Sequence, residues 1–99
     1  MENVYVTITH IDDFSGNNML RVGMTLTLKK LPDSPYDDET IVVLGMKGIK
    51  LGYVANSSGS VIRGTYSAGR LYDKFRDEIS CVVRFIGIEY GVAIAEVEV

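Results

Sequence analysis

Short runs of alternating apolar and polar residues, each ended by turn-forming residues, constrain this chain more than any other feature. In "ENVYVTIT" (2–9), Val4, Val6 and Ile8 fall on one side and Tyr5, Thr7 and Thr9 on the other. That is the period of a half-buried strand built from β-branched residues. "MTLTLKKL" (24–31) repeats the pattern, with Met24, Leu26 and Leu28 set against Thr25, Thr27 and Lys29. "TIVVLG" (40–45) is apolar on both faces, which predicts a strand covered on both sides. The glycine-flanked "GMKG" (45–48) then leads into "IKLGYV" (49–54), a spacing that predicts a hairpin. In "ISCVVRFIGI" (79–88), Ile79, Cys81, Val83 and Phe85 are expected on one face and Ser80, Val82, Arg84 and Ile86 on the other. "GVAIAEVEV" (91–99) closes the chain as a strand with Ala93, Ala95, Val97 and Val99 on one face.

Between these runs, "HIDDFSGNN" (10–18) and "ANSSGS" (55–60) carry turn chemistry. "SAGRLYDKFRD" (67–77) is the best helix candidate, with Ser67 as N-cap and Leu71 and Phe75 stacked four residues apart. Gly69, near its start, weakens it. Short strands separated by turn signals, without an internal repeat or a linker, predict a mainly β protein. The expected form is a small, closed or nearly closed OB-like barrel of about six strands with one or two short helices. Closure also removes exposed strand edges, a hazard in a sequence rich in valine and isoleucine.

The chain has 99 residues, enough for one domain spanning 1–99, and 46% of them are hydrophobic, enough for a real core. Its longest uncharged apolar run falls far short of a membrane span, and no basic segment precedes a cleavable apolar one. A cytoplasmic protein without membrane contact is expected. The single cysteine, Cys81, cannot form an intrachain disulfide, which suits a reducing compartment. Thirteen acids against ten bases give a formal charge of −3, so the molecule as a whole exerts no electrostatic pull on a phosphate backbone. Nucleic-acid binding would have to come from a local site.

Catalytic chemistry is poorly served. His10 is the only histidine, at the end of the first strand, and reads as a surface residue. Cys81 shares a face with Val83 and reads as a small buried hydrophobe. Neither completes a nucleophile–base arrangement, so an enzyme is not expected. No zinc-ligand spacing occurs, and Asp33, Asp37, Asp38 and Glu39 lack the spacing and central glycine of a calcium loop, so they read as a solvated turn. The glycines form no phosphate-binding motif, and no cofactor is expected.

Tyr36, Tyr53 and Tyr90 each lie beside a turn or strand end. Exposed aromatics at the loops of a small barrel are the parts of a platform on which single-stranded bases stack. Arg21, Lys47 and Lys50 can supply local positive charge. The plainer reading is that these tyrosines cap the core with their rings and leave their hydroxyls wet.

Residues 21–54, "RVGMTLTLKKLPDSPYDDETIVVLGMKGIKLGYV", resemble the HIRAN domain. That family is known as an accessory module of DNA-repair helicase-like proteins and as small stand-alone bacterial proteins. Its pattern is an apolar strand, a Pro-x-Asn-Pro-Tyr-Asp turn, a second apolar strand and a Gly-aromatic-apolar ending. Here the turn is "PDSPYD" (32–37) and the ending "GYV" (52–54), and the likeness extends more weakly from about Phe14 to the C-terminus. The resemblance implies a small OB-like barrel that binds single-stranded DNA at a 3′-hydroxyl end. It implies that Tyr36 stacks on the terminal base and Asp37 contacts the sugar hydroxyl. Tyr53 corresponds to the aromatic after the later glycine, and Tyr90 to a stacking aromatic of the last hairpin. The chain departs from the pattern at Ser34, in place of the turn asparagine, and at Asn56, where a lysine is expected. Asp12 and Asp13 stand where DNA-binding members carry an Arg-Tyr pair, placing two carboxylates where phosphate would approach.

Two functions follow as expectations. One is a non-enzymatic nucleic-acid-binding module using Tyr36, Asp37, Tyr53, Tyr90, Lys50 and Arg21, with a single-stranded DNA 3′ end as partner. The other is a structural or protein-interaction module acting through homo-oligomers or a protein partner.

Overall fold

A computed structural model of the chain describes residues 2–14, 19–35 and 37–99. Six antiparallel strands close into a barrel: β1 (Asn3–Thr9), β2 (Thr25–Lys30), β3 (Ile41–Leu44), β4 (Lys50–Val54), β5 (Glu78–Gly87) and β6 (Val92–Glu98). Around the barrel the order is β1-β4-β3-β2-β5-β6, and β6 returns to β1. The alternating runs supply the core. Val4, Val6 and Ile8 of β1, Leu26 and Leu28 of β2, and Ala93, Ala95 and Val97 of β6 are all buried. On β3, Ile41, Val42 and Val43 are buried without alternation, as a strand covered on both faces requires.

The β1–β4 seam is short, with only Ile8 opposite Val54 and Thr9 opposite Tyr53. Below it, the chain between β4 and the helix lies against β1, with Tyr66 bridging to Val6 and Ala55 N donating to Thr7 O at 2.8 Å. Thr7, on the polar side of the alternation, is therefore fully buried. Its hydroxyl is satisfied in a closed chain. Ile62 N donates to Thr7 Oγ1 at 3.1 Å, and Thr65 Oγ1 donates to Ile62 O at 2.6 Å. The 2.8 Å contact between the two threonine hydroxyls must then run from Thr7 to Thr65.

Two local readings change. The helix α1 covers only Ala68–Tyr72, N-capped by Ser67 Oγ accepting from Arg70 N at 3.2 Å. Lys74 N donates to Leu71 O at 2.8 Å in the turn that follows, so Phe75 lies past the helix and not one turn along it. Phe75 still packs on the core. It is held by Lys30, whose Nζ donates to the Phe75 carbonyl at 2.6 Å and sits 4.4 Å from the Tyr72 ring centroid. In β5 the register against β6 shifts between Val83 and Phe85, so two residues span one step. This bulge turns Phe85 outward, although a strict alternation places it with Cys81 and Val83. Cys81 itself is buried, and desolvation pushes its thiol up to about 12.

Candidate functional site

The site starts from a glycine. A Cβ on Gly52 would stand 2.6 Å from the Thr9 carbonyl oxygen, so only glycine lets β4 pass this close to the end of β1. The next residue, Tyr53, is thereby set on the outer wall between Thr9 and Val42, half-buried.

The chain leaving β1 folds over this ring. His10 adopts a left-handed conformation (φ 64°) and starts a 3-10 turn at Ile11–Asp13, with Ile11 anchored in the core. The turn brings the His10 and Phe14 rings edge-on to Tyr53, at centroid distances of 6.1 and 5.9 Å. From the other side, Lys50 Nζ stands 5.6 Å from the centroids of both Phe14 and Tyr53 and donates to the Tyr53 hydroxyl at 3.3 Å. Three rings and an ammonium group thus share one stretch of barrel wall.

Asp37 is held at the margin by a relay that reaches α1. Its Oδ1 accepts from Glu39 N at 2.9 Å and its Oδ2 from Asn56 Nδ2 at 2.6 Å. The amide orientation of Asn56 follows from its other partner. Gly69 N–H, at 2.8 Å, can only donate, so Oδ1 faces it and Nδ2 is left for the carboxylate. Donation from the Glu39 backbone first, and from Asn56 second, holds the Asp37 carboxyl below its usual range against a small opposing effect of burial. The carboxylate stays ionised and keeps lone pairs for a further donor.

Tyr53 divides two clefts. The larger, about 520 Å³, takes in His10, Asp13, Phe14, Asp37, Asn56 and Ser60. The smaller, about 410 Å³, is bounded by Leu31, Pro32, Ser34, Pro35 and Lys50. Both are large enough to take a planar ring.

Of the residues singled out in the sequence, Asp37, Tyr53 and Lys50 come together here. Tyr36 lies outside the described residues. Tyr90 stands exposed on the β5–β6 connection and Arg21, ahead of β2, donates to the Leu20 carbonyl at 2.8 Å; neither lines either cleft. The acids at 12 and 13 part company. Asp13 lines the larger cleft and its Oδ2 accepts from His10 Nδ1 at 2.8 Å, whereas the Asp12 carboxylate lies beside Gly91. Phe14, His10 and Asn56 join the site without having been marked as contacts. Their side chains carry no periodic signal, and only the close passage allowed by Gly52 and the approach of α1 bring them in. Among the described residues, no three histidine, cysteine or carboxylate side chains converge as metal ligands, and no helix is long and apolar enough to cross a membrane.

No protein-family model matches the chain, and no curated protein matches it. Solved structures do. The HIRAN domain of human HLTF aligns with a TM-score of 0.68 at 18% identity, over 95% of this chain and 71% of that one. A protein from Lactobacillus plantarum aligns with a TM-score of 0.64 at 21% identity, over 98% of both chains. At such identities the likeness establishes the fold: this chain has the barrel of a HIRAN domain.

Proposed function

We propose that the chain is a non-enzymatic nucleic-acid-binding module that takes the end of a single DNA strand on the wall around Tyr53. The observation that carries this reading is the packing of His10 and Phe14 against Tyr53, with Lys50 Nζ over the Phe14 and Tyr53 rings, between two open clefts. Aromatic faces stack on any base, and an ammonium group beside them can meet the phosphate that joins two nucleotides. Asp37, kept ionised by Glu39 N and Asn56, accepts a hydrogen bond from a free 3′-hydroxyl and repels a terminal phosphate. Tyr36, by the Pro-Tyr-Asp pattern, supplies a second stacking ring. The HIRAN fold supports the same reading.

Fluorescence anisotropy with short labelled single strands at low salt tests it. Strands ending in a 3′-hydroxyl should bind and strands ending in a 3′-phosphate should bind more weakly. Tyr53→Ala and Tyr36→Ala should each cost about 1–3 kcal/mol of binding. Equal affinity for the two ends would remove Asp37 from the reading, and no binding to either would remove the reading itself.

A further inference from the structure

Apart from Tyr5, the well-exposed large hydrophobic side chains among the described residues stand at one end of the barrel. Met46, 71% exposed, and Ile49 lie on the β3–β4 turn. Val22, 64% exposed, lies just ahead of β2. Phe85, Ile88 and Tyr90, exposed by 53%, 57% and 80%, lie at the β5–β6 connection.

The strand order makes these neighbours. β2 pairs with β3 on one side and β5 on the other, so the chain entering β2 passes between the two turns. Gly23 N donates to Val83 O at 2.7 Å, which ties that entry to β5. A Cβ on Gly87 would stand 3.3 Å from the Phe85 ring and 3.4 Å from the Tyr90 ring, so both rings flank that glycine. A contiguous apolar surface of this kind on a small protein marks an interaction site.

The charges beside it point to the occupant. Lys47 stands exposed at the tip of the β3–β4 turn, and Glu89 stands exposed on the β5–β6 turn with the Asp12 carboxylate behind it at Gly91. Lys47 thus stands on one side of the apolar surface, and Glu89 and Asp12 on the other. A two-fold axis through the surface sets the Lys47 side of each copy against the Glu89 side of the other, because such an interface is self-complementary. We propose that this end of the barrel is the interface of a two-fold homodimer, with Lys47 facing Glu89 of the partner subunit. A stable interface takes about 800 Å² from each partner. One end of a body measuring 32 × 30 × 30 Å and exposing 5859 Å² is of that size. Neither turn lines the clefts at Tyr53, so the dimer leaves both open.

Sedimentation velocity over a concentration series of the full chain tests this. Wild type should sediment as a dimer that dissociates on dilution. Lys47→Glu and Glu89→Lys should each weaken the dimer by at least about tenfold, since each sets like charges face to face twice. The double variant Lys47→Glu/Glu89→Lys should recover it. Ile88→Glu should give a monomer with an unchanged circular dichroism spectrum. A wild-type monomer at every concentration, or a dimer indifferent to both single charge reversals, would overturn the proposal. Because the anisotropy experiment reads a different surface, either result can fail without the other.

Discussion

Asp37 shows how a single residue is given a role by partners distant in sequence. Its carboxylate accepts from Glu39 two residues on and from Asn56 nineteen residues on, and Asn56 in turn holds Gly69 of α1. A Cβ on Gly69 would meet only side-chain ends, Asn56 Oδ1 at 3.3 Å and Glu39 Oε1 at 2.5 Å, and exposed Glu39 can swing aside. Because the folded-state carboxyl lies below its unfolded range, ionised Asp37 contributes stability that is present above the unfolded value and lost as pH falls through the folded one. Asn56→Asp keeps the shape and replaces the donating amide with a second carboxylate. At neutral pH it should lower stability, because a hydrogen bond to the carboxylate is replaced by repulsion between two carboxylates. Acidification toward about pH 4 should narrow the deficit by protonating one carboxyl of the pair. Urea titrations at the two pH values check this; a deficit that widens in acid would contradict the assignment.

At the scale of the element, the β1–β4 seam is the part most exposed to single substitutions. Only two residue pairs join these strands, and Gly52 passes beneath the Thr9 carbonyl at a distance that no Cβ tolerates. The obstacle is backbone, which cannot swing aside as a side chain end can. Gly52→Ala should therefore cost about 1–3 kcal/mol, the range for overpacking. It should also displace Tyr53 from His10 and Phe14. Chemical denaturation reads the first effect, and aromatic chemical shifts at Tyr53 read the second. At β5 the bulge has the opposite character. It leaves Val83 in the core and turns Phe85 out, so one strand serves both the core and the apolar end.

For the whole molecule, charge limits the form the proposed nucleic-acid binding can take. With a formal charge of −3 and both Asp13 and Asp37 at the larger cleft, the molecule has no net positive charge to draw in a strand. Lys50 is the cation placed beside the Phe14 and Tyr53 rings. Neutralising one phosphate of a single strand gives log Kd against log salt a slope of magnitude about 0.7. A slope near that value is expected, and affinity should survive a rise to physiological salt with only a small loss. A slope of magnitude about 3 or more would mean that a basic surface away from the cleft carries the binding.

Period-two alternation and turn chemistry determined most of the fold. The residues 2–9, 24–31, 40–45, 49–54, 79–88 and 91–99 were legible as strands because that signal is local and repeats within each run. The barrel class followed from the same kind of reading. Tertiary structure alone decided where β1 meets β4, that Phe85 leaves the core, and that α1 stops at Tyr72. It also decided that His10, Phe14, Lys50 and Tyr53 share one wall while Asn56 fastens Asp37 to α1. Those contacts depend on strand register and on the close passage of Gly52 past Thr9. Register is set by all the pairings around a closed barrel together, and no single run of residues contains it.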